Sequence, residues 1–135
     1  MKKPLIIMGL IAMLSGCAVV DAYLMTKYDP NEYKLITEIR SDSELAKRTC
    51  DDVNVSKMNA IIVANKTHLF ELYSQEVTRN QNVIVASKEL NEIAQALEAR
   101  YSQTEPVSVA YCKLKFGNIE NNAGTMQHII GARPR

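Results

Sequence analysis

The two histidines of this 135-residue chain, His68 and His128, are its natural candidates for binding a metal ion. His68 lies in "HLFE", where Glu71 follows one helical turn later, and such a pair resembles half of a carboxylate-bridged di-iron site. That site needs two Glu-x-x-His motifs and two further glutamates. This chain has neither repeat and carries its pair in the reverse order. The sequence therefore predicts no metal site.

The motifs of other common catalytic sites are missing as well. No serine lies in a G-x-S-x-G elbow, and no glycine-rich loop is present to hold a phosphate. An enzyme acting on cell wall would need paired carboxylates or a nucleophile in a cleft, whereas the acidic residues here fall on polar helix faces. We therefore expect a protein without catalysis. The net charge of +1 gives no electrostatic argument for nucleic acid as a partner.

The first sixteen residues have the composition of an export signal rather than of a folded domain. Lys2 and Lys3 form a positive region, an uncharged apolar stretch runs from Leu5 to Leu14, and small residues precede Cys17. Ten apolar residues are too few to span a bilayer, which takes about 20. A signal peptide over residues 1–16 is predicted, to be excluded from the fold.

The ending of this signal, "LSGC", resembles the lipobox of bacterial lipoproteins, a leucine and two small residues before a cysteine. The resemblance covers seventeen residues. It implies that Cys17 receives a diacylglycerol thioether, that the chain is cut before Cys17, and that the new amine is acylated. Ala18 stands where an aspartate would retain the product at the inner membrane, so the resemblance implies the outer membrane. The alternative is an ordinary secretory signal with an incidental cysteine.

Residues 17–28 are then a lipid anchor with a short tether, and residues 29–135 are predicted to form one all-α domain. Tryptophan is absent, and glycine and proline together number nine, which suits helices better than a turn-rich β-sandwich. Asp29 and Pro30 are a good N-cap and first helical residue, and the first helix is expected to reach about Thr49, with "RSDS" as a place of interruption. Asp51 or Asp52 is expected to cap the second helix. "RNQN" is a short turn between antiparallel helices. The expected fold is a small antiparallel bundle of three to four helices, stapled by one disulfide.

Apolar residues at steps of three and four mark the faces that are expected to pack in the core. In the second helix, Asn65 falls within this stripe and would either fix the register by hydrogen bonding or lie at the edge and reach water, the second being preferred. Pro106 is expected to open the last helix, although "VSVAY" also alternates like a strand. The predicted stripes are Val55, Met58, Ile62, Leu69 and Leu72 in the second helix, Val83, Ala86, Leu90, Ile93 and Leu97 in the third, and Val107, Ala110, Tyr111, Leu114, Ile119, Met126, Ile129 and Ile130 in the last.

Two cysteines, Cys50 and Cys112, remain when Cys17 carries the lipid. An exported protein lies in an oxidising compartment, where an even pair is a candidate disulfide. Cys50 ends the first helix, the next two helices go down and back, and Cys112 then lies at the same end of the bundle. A disulfide is therefore predicted, with a stabilisation of roughly 4 kcal/mol from loop closure. The alternative, a reactive or metal-binding thiol pair, has no C-x-x-C spacing to support it.

The predicted function is that of a lipoprotein held at the periplasmic face of the outer membrane, where it binds another envelope protein. No cofactor is expected besides the covalent lipid on Cys17. The candidate partner-binding residues should form an exposed apolar patch, and they are Tyr23, Tyr28, Tyr33 and Tyr73. Positive charge is in excess after Pro106, either as a basic surface or, preferably, as a solvated and frayed terminus. The charges concerned are Lys113, Lys115, Arg133 and Arg135 against Glu120.

Three sharper versions of this function remain open. The chain loosely resembles the pilotins of secretion systems, small outer-membrane lipoproteins that guide secretin subunits. That family has a lipidated cysteine, four helices and a disulfide from the first helix to the last, and "ELAKRTCDD" and "AYCKLKF" occupy the matching places, although its tryptophan is absent. A phage-encoded envelope lipoprotein that blocks a receptor or acts in lysis is the second version. A small-ligand binder using Tyr23, Tyr28 and Tyr33 is the third.

Overall fold

Four helices make up most of the structure, a computed structural model that describes residues 25–135. They pack as a bundle, with α1 mainly against α4 and α2 mainly against α3, and residues 25–135 contain no strand. The predicted all-α bundle is confirmed. Residues 1–16, Cys17 and Tyr23 lie outside the described residues. The helices are α1 (Pro30–Lys47), α2 (Val53–Glu76), α3 (Gln81–Tyr101) and α4 (Val109–Gly131).

Aspartates begin the first two helices. The Asp29 carboxylate accepts hydrogen bonds from the backbone N–H groups of Asn31 and Glu32 at 2.8 and 2.9 Å, and Pro30 is the first helical residue, as predicted. Asp52 caps α2 in the same way. Each cap satisfies backbone donors that the helix itself leaves without a partner. Helix α1 passes through "RSDS" without interruption, because Ser43 in that stretch faces the core and is fully buried.

The last helix begins three residues later than predicted. Ser108, not a residue before Pro106, is its N-cap, and the Ser108 hydroxyl accepts the backbone N–H of Tyr111 at 3.1 Å. The carbonyls of Glu105 and Pro106 instead accept hydrogen bonds from the Arg100 guanidinium, at 2.8 and 3.3 Å. Arg100 therefore holds this stretch as a turn. The stretch "VSVAY" runs into α4 and forms no strand.

The core is aliphatic with two phenylalanines at its centre. Phe70 and Phe116 have no exposed surface, and neither do Ile36, Ile39 and Ile119. The expected stripe of α3 faces this core. In α4, Leu114 and Ile129 are 59% and 48% exposed, so the prediction that they are buried is wrong. They lie off the face that carries the buried side chains of α4, which are Cys112, Phe116, Ile119, Ala123, Met126 and Ile130.

A disulfide joins Cys50, just after α1, to Cys112 in the first turn of α4, with Cα atoms 5.8 Å apart. The predicted pairing is confirmed. Both cysteines are buried. The bond connects the first and last helices at the end of the bundle opposite to the one where the chain enters α1. It therefore fixes the end of α1 against the start of α4.

Loss of this disulfide is expected to lower the free energy of unfolding by about 2–5 kcal/mol. The measurement is urea unfolding of the Cys112→Ser variant, followed by circular dichroism. The double variant Cys50→Ser with Cys112→Ser is the matched control, and it should lose the same amount, because both variants lack the same cross-link. A loss below about 1 kcal/mol in both variants would contradict this estimate.

Candidate protein-interaction surface

Helix α2 carries two apolar faces, and the one predicted to be buried is exposed. Its core-facing residues are small, among them Ser56, Ala60 and Thr67, with Phe70 the one large side chain. The stripe predicted for the core lies on the opposite side of the helix, and its five side chains are between 41% and 57% exposed. We call this face the outer stripe. It consists of Val55, Met58, Ile62, Leu69 and Leu72.

Buried hydrogen bonds decide which face of α2 turns inward. The Thr67 hydroxyl lies 3.2 Å from the Asn91 side-chain oxygen on α3, and the Asn91 amide donates to the Glu71 carboxylate at 2.6 Å. Rotating α2 to bury the outer stripe would break these contacts and leave the Asn91 amide N–H groups without their acceptor on α2, at a cost of about 1–3 kcal/mol, while its oxygen would keep only the Gln95 amide of its own helix. Phe70 would lose its place in the core at the same time. The outer stripe is therefore left outside.

Asn65 completes the spacing of the outer stripe between Ile62 and Leu69, and it is exposed. Asn65 reaches water as expected, but it lies within the stripe and not at its edge, because the neighbouring apolar side chains are exposed as well. The six positions from Val55 to Leu72 thus alternate in steps of three and four along one solvent-facing side of α2. Such a spacing is typical of a helix that packs against another helix.

The charge beside the outer stripe is directed away from it. The Lys66 ammonium lies 2.6 Å from the Asp42 carboxylate and 3.2 Å from that of Glu38, both on α1. The hydrogen bond to Asp42 is the main reason why the pKa of Lys66 is raised above its usual value. Lys66 therefore stays protonated and paired within its own molecule, so the surface that the outer stripe presents is largely neutral.

The described tyrosines that were predicted to bind a partner make contacts within the protein, near the start of α1. The rings of Tyr28 and Tyr33 are 5.7 Å apart, and the Tyr73 hydroxyl donates to the Asp29 carboxylate at 3.1 Å. All three are half-buried. The largest group of exposed apolar side chains lies along α2, and single ones lie on the other helices, among them Leu45, Val85 and Leu114.

A buried polar cluster closes the same end of the bundle. The Glu32 carboxylate accepts hydrogen bonds from Arg133 and from the Asn80 amide, each at 2.5 Å, and Arg133 also donates to the Asn80 side-chain oxygen at 2.6 Å. Glu32 has no exposed surface, and the Arg133 side chain is 8% exposed. Nothing in the sequence pattern signals this cluster, because its three members lie 48 to 101 residues apart.

The C-terminal residues are held by this end of the bundle and are not frayed, so the preferred interpretation of the positive charges after Pro106 is wrong. The Pro134 carbonyl accepts the backbone N–H of Tyr28 at 2.9 Å, and the Arg135 guanidinium lies 5.1 Å from the centre of the Tyr28 ring. The alternative, one basic surface, fails as well. Lys113 and Lys115 are in the first turns of α4, whereas Arg133 and Arg135 follow its last residue.

Two open clefts flank the segment that leads into α1. Their volumes are about 520 and 630 Å³, within the range of small-molecule sites, and Met25, Thr26 and Arg79 line both. Arg79 has a φ of 61°, in the left-handed region, and its carbonyl accepts the Thr26 hydroxyl. Tyr28 and Tyr73 line the larger cleft. Of the tyrosines predicted for a small ligand, Tyr28 lines this cleft, Tyr33 does not, and Tyr23 lies outside the described residues.

Within residues 25–135, no three histidine, cysteine, aspartate or glutamate side chains lie close enough together to hold a metal ion. No helix in that range combines the length and the apolar character needed to cross a membrane. Comparisons of the chain with protein-family models, with curated proteins and with solved structures found no match. Residues 25–135 form a disulfide-linked four-helix bundle with an exposed apolar stripe along α2.

Proposed function

We propose that this protein is a lipoprotein anchored through Cys17 at the periplasmic face of the outer membrane, where it binds an envelope protein and catalyses no reaction. The outer stripe carries the proposal. Contiguous apolar surface on a small soluble domain is typical of a protein contact. The regular spacing of this stripe along a helix suits a helical partner.

The strength of the contact follows from the size of the stripe. Its five side chains are each about half exposed, so burying them contributes roughly 1 kcal/mol each. Association itself costs at least about 4 kcal/mol in lost freedom. Contact through the outer stripe alone is therefore weak in solution. A shared membrane strengthens it, because anchoring raises the effective concentration of the two partners.

The position of the anchor fits this arrangement. Tyr28 contacts the C-terminal residues and Thr26 contacts the end of α2, so the chain enters α1 at the end of the bundle where α2 and α4 finish. From Cys17 to Tyr28 there are twelve residues, which span at most about 40 Å. That end of the bundle would face the membrane, and the outer stripe would run along the side of the domain toward it.

The pilotin version and the phage-encoded version of this function differ in the identity of the partner. The link from the end of α1 to the start of α4 agrees with the arrangement that the pilotin resemblance implies. A secretin captured through the outer stripe would select the first version. A porin or receptor would select the second.

Placing a charge in the stripe is expected to abolish partner binding without unfolding the domain. In Ile62→Glu a carboxylate would have to be buried in the contact, which lowers the amount of crosslinked complex by at least about tenfold. The measurement is in-cell crosslinking of the full chain, followed by purification from membranes and mass spectrometry. Because Ile62 is 41% exposed, we expect unfolding stability to change by no more than about 0.5 kcal/mol.

Val85→Glu is the matched control, since Val85 is an equally apolar residue on α3 and is 50% exposed. It should leave the crosslinked complex unchanged. Equal loss in both variants would show that the effect is not specific to the outer stripe. Retention of the complex in Ile62→Glu would overturn the proposed binding surface.

A further inference from the structure

We propose that the occupant of the outer stripe is a second copy of this chain, with the two α2 helices side by side and parallel. The inference rests on the proposed function, and it names the partner of the same surface. The spacing of the stripe, the charges beside it and Asn65 within it all bear on it.

The spacing of the stripe is complementary to itself. Val55, Ile62 and Leu69 form one row, and Met58, Asn65 and Leu72 form the other, with steps of three and four between them. Two helices with this seven-residue repeat pack by placing the same rows against each other. A two-fold axis then lets one surface serve both copies, as in most dimers.

The positions beside the stripe do not oppose such a pair. On one side they are Asn59, Lys66 and Tyr73, and on the other side Ile61, His68 and Gln75. In a parallel pair, the side of one helix that carries Lys66 faces the side of the second copy that carries Ile61. Lys66 then lies near Ile61 of that copy, and Tyr73 lies near its His68. Lys66 is the one fixed charge among these six positions, and Asp42 and Glu38 of its own molecule neutralise it.

Glu76, the last residue of α2, continues the row of Val55, Ile62 and Leu69, so Glu76 of one copy would lie beside Glu76 of the other. Both carboxylates are exposed at the end of the contact, where water and salt screen their repulsion.

The direction of the pair follows from Asn65. Attachment to one membrane allows either direction, because the twelve-residue tether from Cys17 to Tyr28 reaches about 40 Å, more than the length of the stripe. Parallel alignment places Asn65 of one copy against Asn65 of the other, where the two amides can hydrogen bond to each other and fix the register. Antiparallel alignment about the centre of the stripe would place Asn65 against Ile62 and leave the amide without a partner, which is unfavourable.

The area suits a dimer that forms on the membrane. The stripe from Val55 to Leu72 is about 27 Å long at 1.5 Å per residue. With a contact about 10 Å wide, two copies bury on the order of 500–600 Å² in total, below the roughly 1,200 Å² of a stable complex in solution. A lipid surface is a poorer partner for the outer stripe than a second copy, because helices that lie on membranes are rich in lysine and arginine beside their apolar face. Lys66 is the one such residue flanking this stripe.

Cysteine crosslinking of the full-length chain in bacterial membranes tests the dimer. Asn65→Cys places equivalent thiols opposite each other in the parallel pair, and Glu92→Cys, at an exposed position of α3, is the matched control. After mild oxidation, a non-reducing gel should show at least about tenfold more covalent dimer for Asn65→Cys than for Glu92→Cys. Adding Ile62→Glu to Asn65→Cys should remove that excess. In differently tagged copies, Val55→Cys should crosslink to Val55→Cys and not to Leu72→Cys.

Each other result overturns the inference in a distinct way. Crosslinking of Asn65→Cys to a different envelope protein would refute the dimer and leave the proposed function standing. Equal amounts of covalent dimer from Asn65→Cys and Glu92→Cys would show that the crosslinks come from random collision, which would refute the dimer. Crosslinks between Val55→Cys and Leu72→Cys would refute the parallel direction. Absence of any crosslink at Asn65, to this chain or to another protein, would refute both the dimer and the outer stripe as a binding surface.

Discussion

Replacement of Arg133 by methionine is expected to lower the free energy of unfolding by about 3–5 kcal/mol. Arg133 holds the fully buried Glu32 carboxylate and bridges it to Asn80. Without the guanidinium, the carboxylate keeps only the Asn80 amide as its partner and stays buried as an uncompensated charge. The cluster connects the start of α1, the start of α3 and the segment after α4, so its loss loosens one whole end of the bundle. Urea unfolding measures the effect.

Two further variants separate the buried ion pair from general effects of removing an arginine. Arg135→Met is the matched control, because Arg135 is exposed and two residues away, and it should lower stability by no more than about 1 kcal/mol through loss of its contact with the Tyr28 ring. The double variant Glu32→Leu with Arg133→Met removes both charges and should regain much of the lost stability, since apolar replacement of a buried pair is often neutral or stabilising. A double variant as unstable as Arg133→Met would contradict the assigned role of the charge.

Replacement of Cys17 by serine is expected to abolish the attachment of fatty acid to the protein. Without the thiol no thioether forms, and the two or three acyl chains, at about 0.8 kcal/mol per buried methylene, are lost. The variant should keep residues 1–16 or appear as a soluble product. Labelling of cells with a radioactive fatty acid, followed by fractionation, makes the measurement.

Ser15→Ala is the matched control for the lipobox, because it keeps a small residue before the cysteine. It should label and fractionate like the natural chain. A natural chain that takes up no label would refute the lipoprotein hypothesis. The outer stripe would keep its exposure in that case, so partner binding can be tested independently of the anchor.

The helix starts were predictable because they depend on residues that are neighbours in the chain. Asp29 and Asp52 each satisfy backbone N–H groups two and three residues later, and this needs no knowledge of the rest of the fold. The pairing of Cys50 with Cys112 was predictable from the count of helices between them, since the direction of each helix decides which end its neighbours share. The start of α4 was not, because Arg100 on another helix holds the turn that contains Pro106.

The sequence pattern identified the residues of the proposed interaction surface, but it predicted that they are buried, whereas they are exposed. Val55, Met58 and Ile62 have the spacing of a core face, and an exposed contact face between helices has the same spacing. Periodicity reports that a helix has an apolar side, and it does not report what covers that side. The tyrosines were predicted to form a surface patch, whereas the Tyr73 hydroxyl donates a hydrogen bond to Asp29, the N-cap of α1.

By itself, the sequence determined the helical composition, the first two caps, the disulfide pairing and the presence of an apolar stripe on α2, because these follow from local spacing and chain direction. Only the tertiary structure decided which face of α2 is buried and that Glu32, Asn80 and Arg133 meet. Those outcomes depend on side chains from different helices satisfying one another, such as Thr67 with Asn91. A buried hydrogen bond or ion pair between distant residues leaves no periodic trace in the chain, and yet leaving it unmade costs enough to choose one rotation of a helix over another.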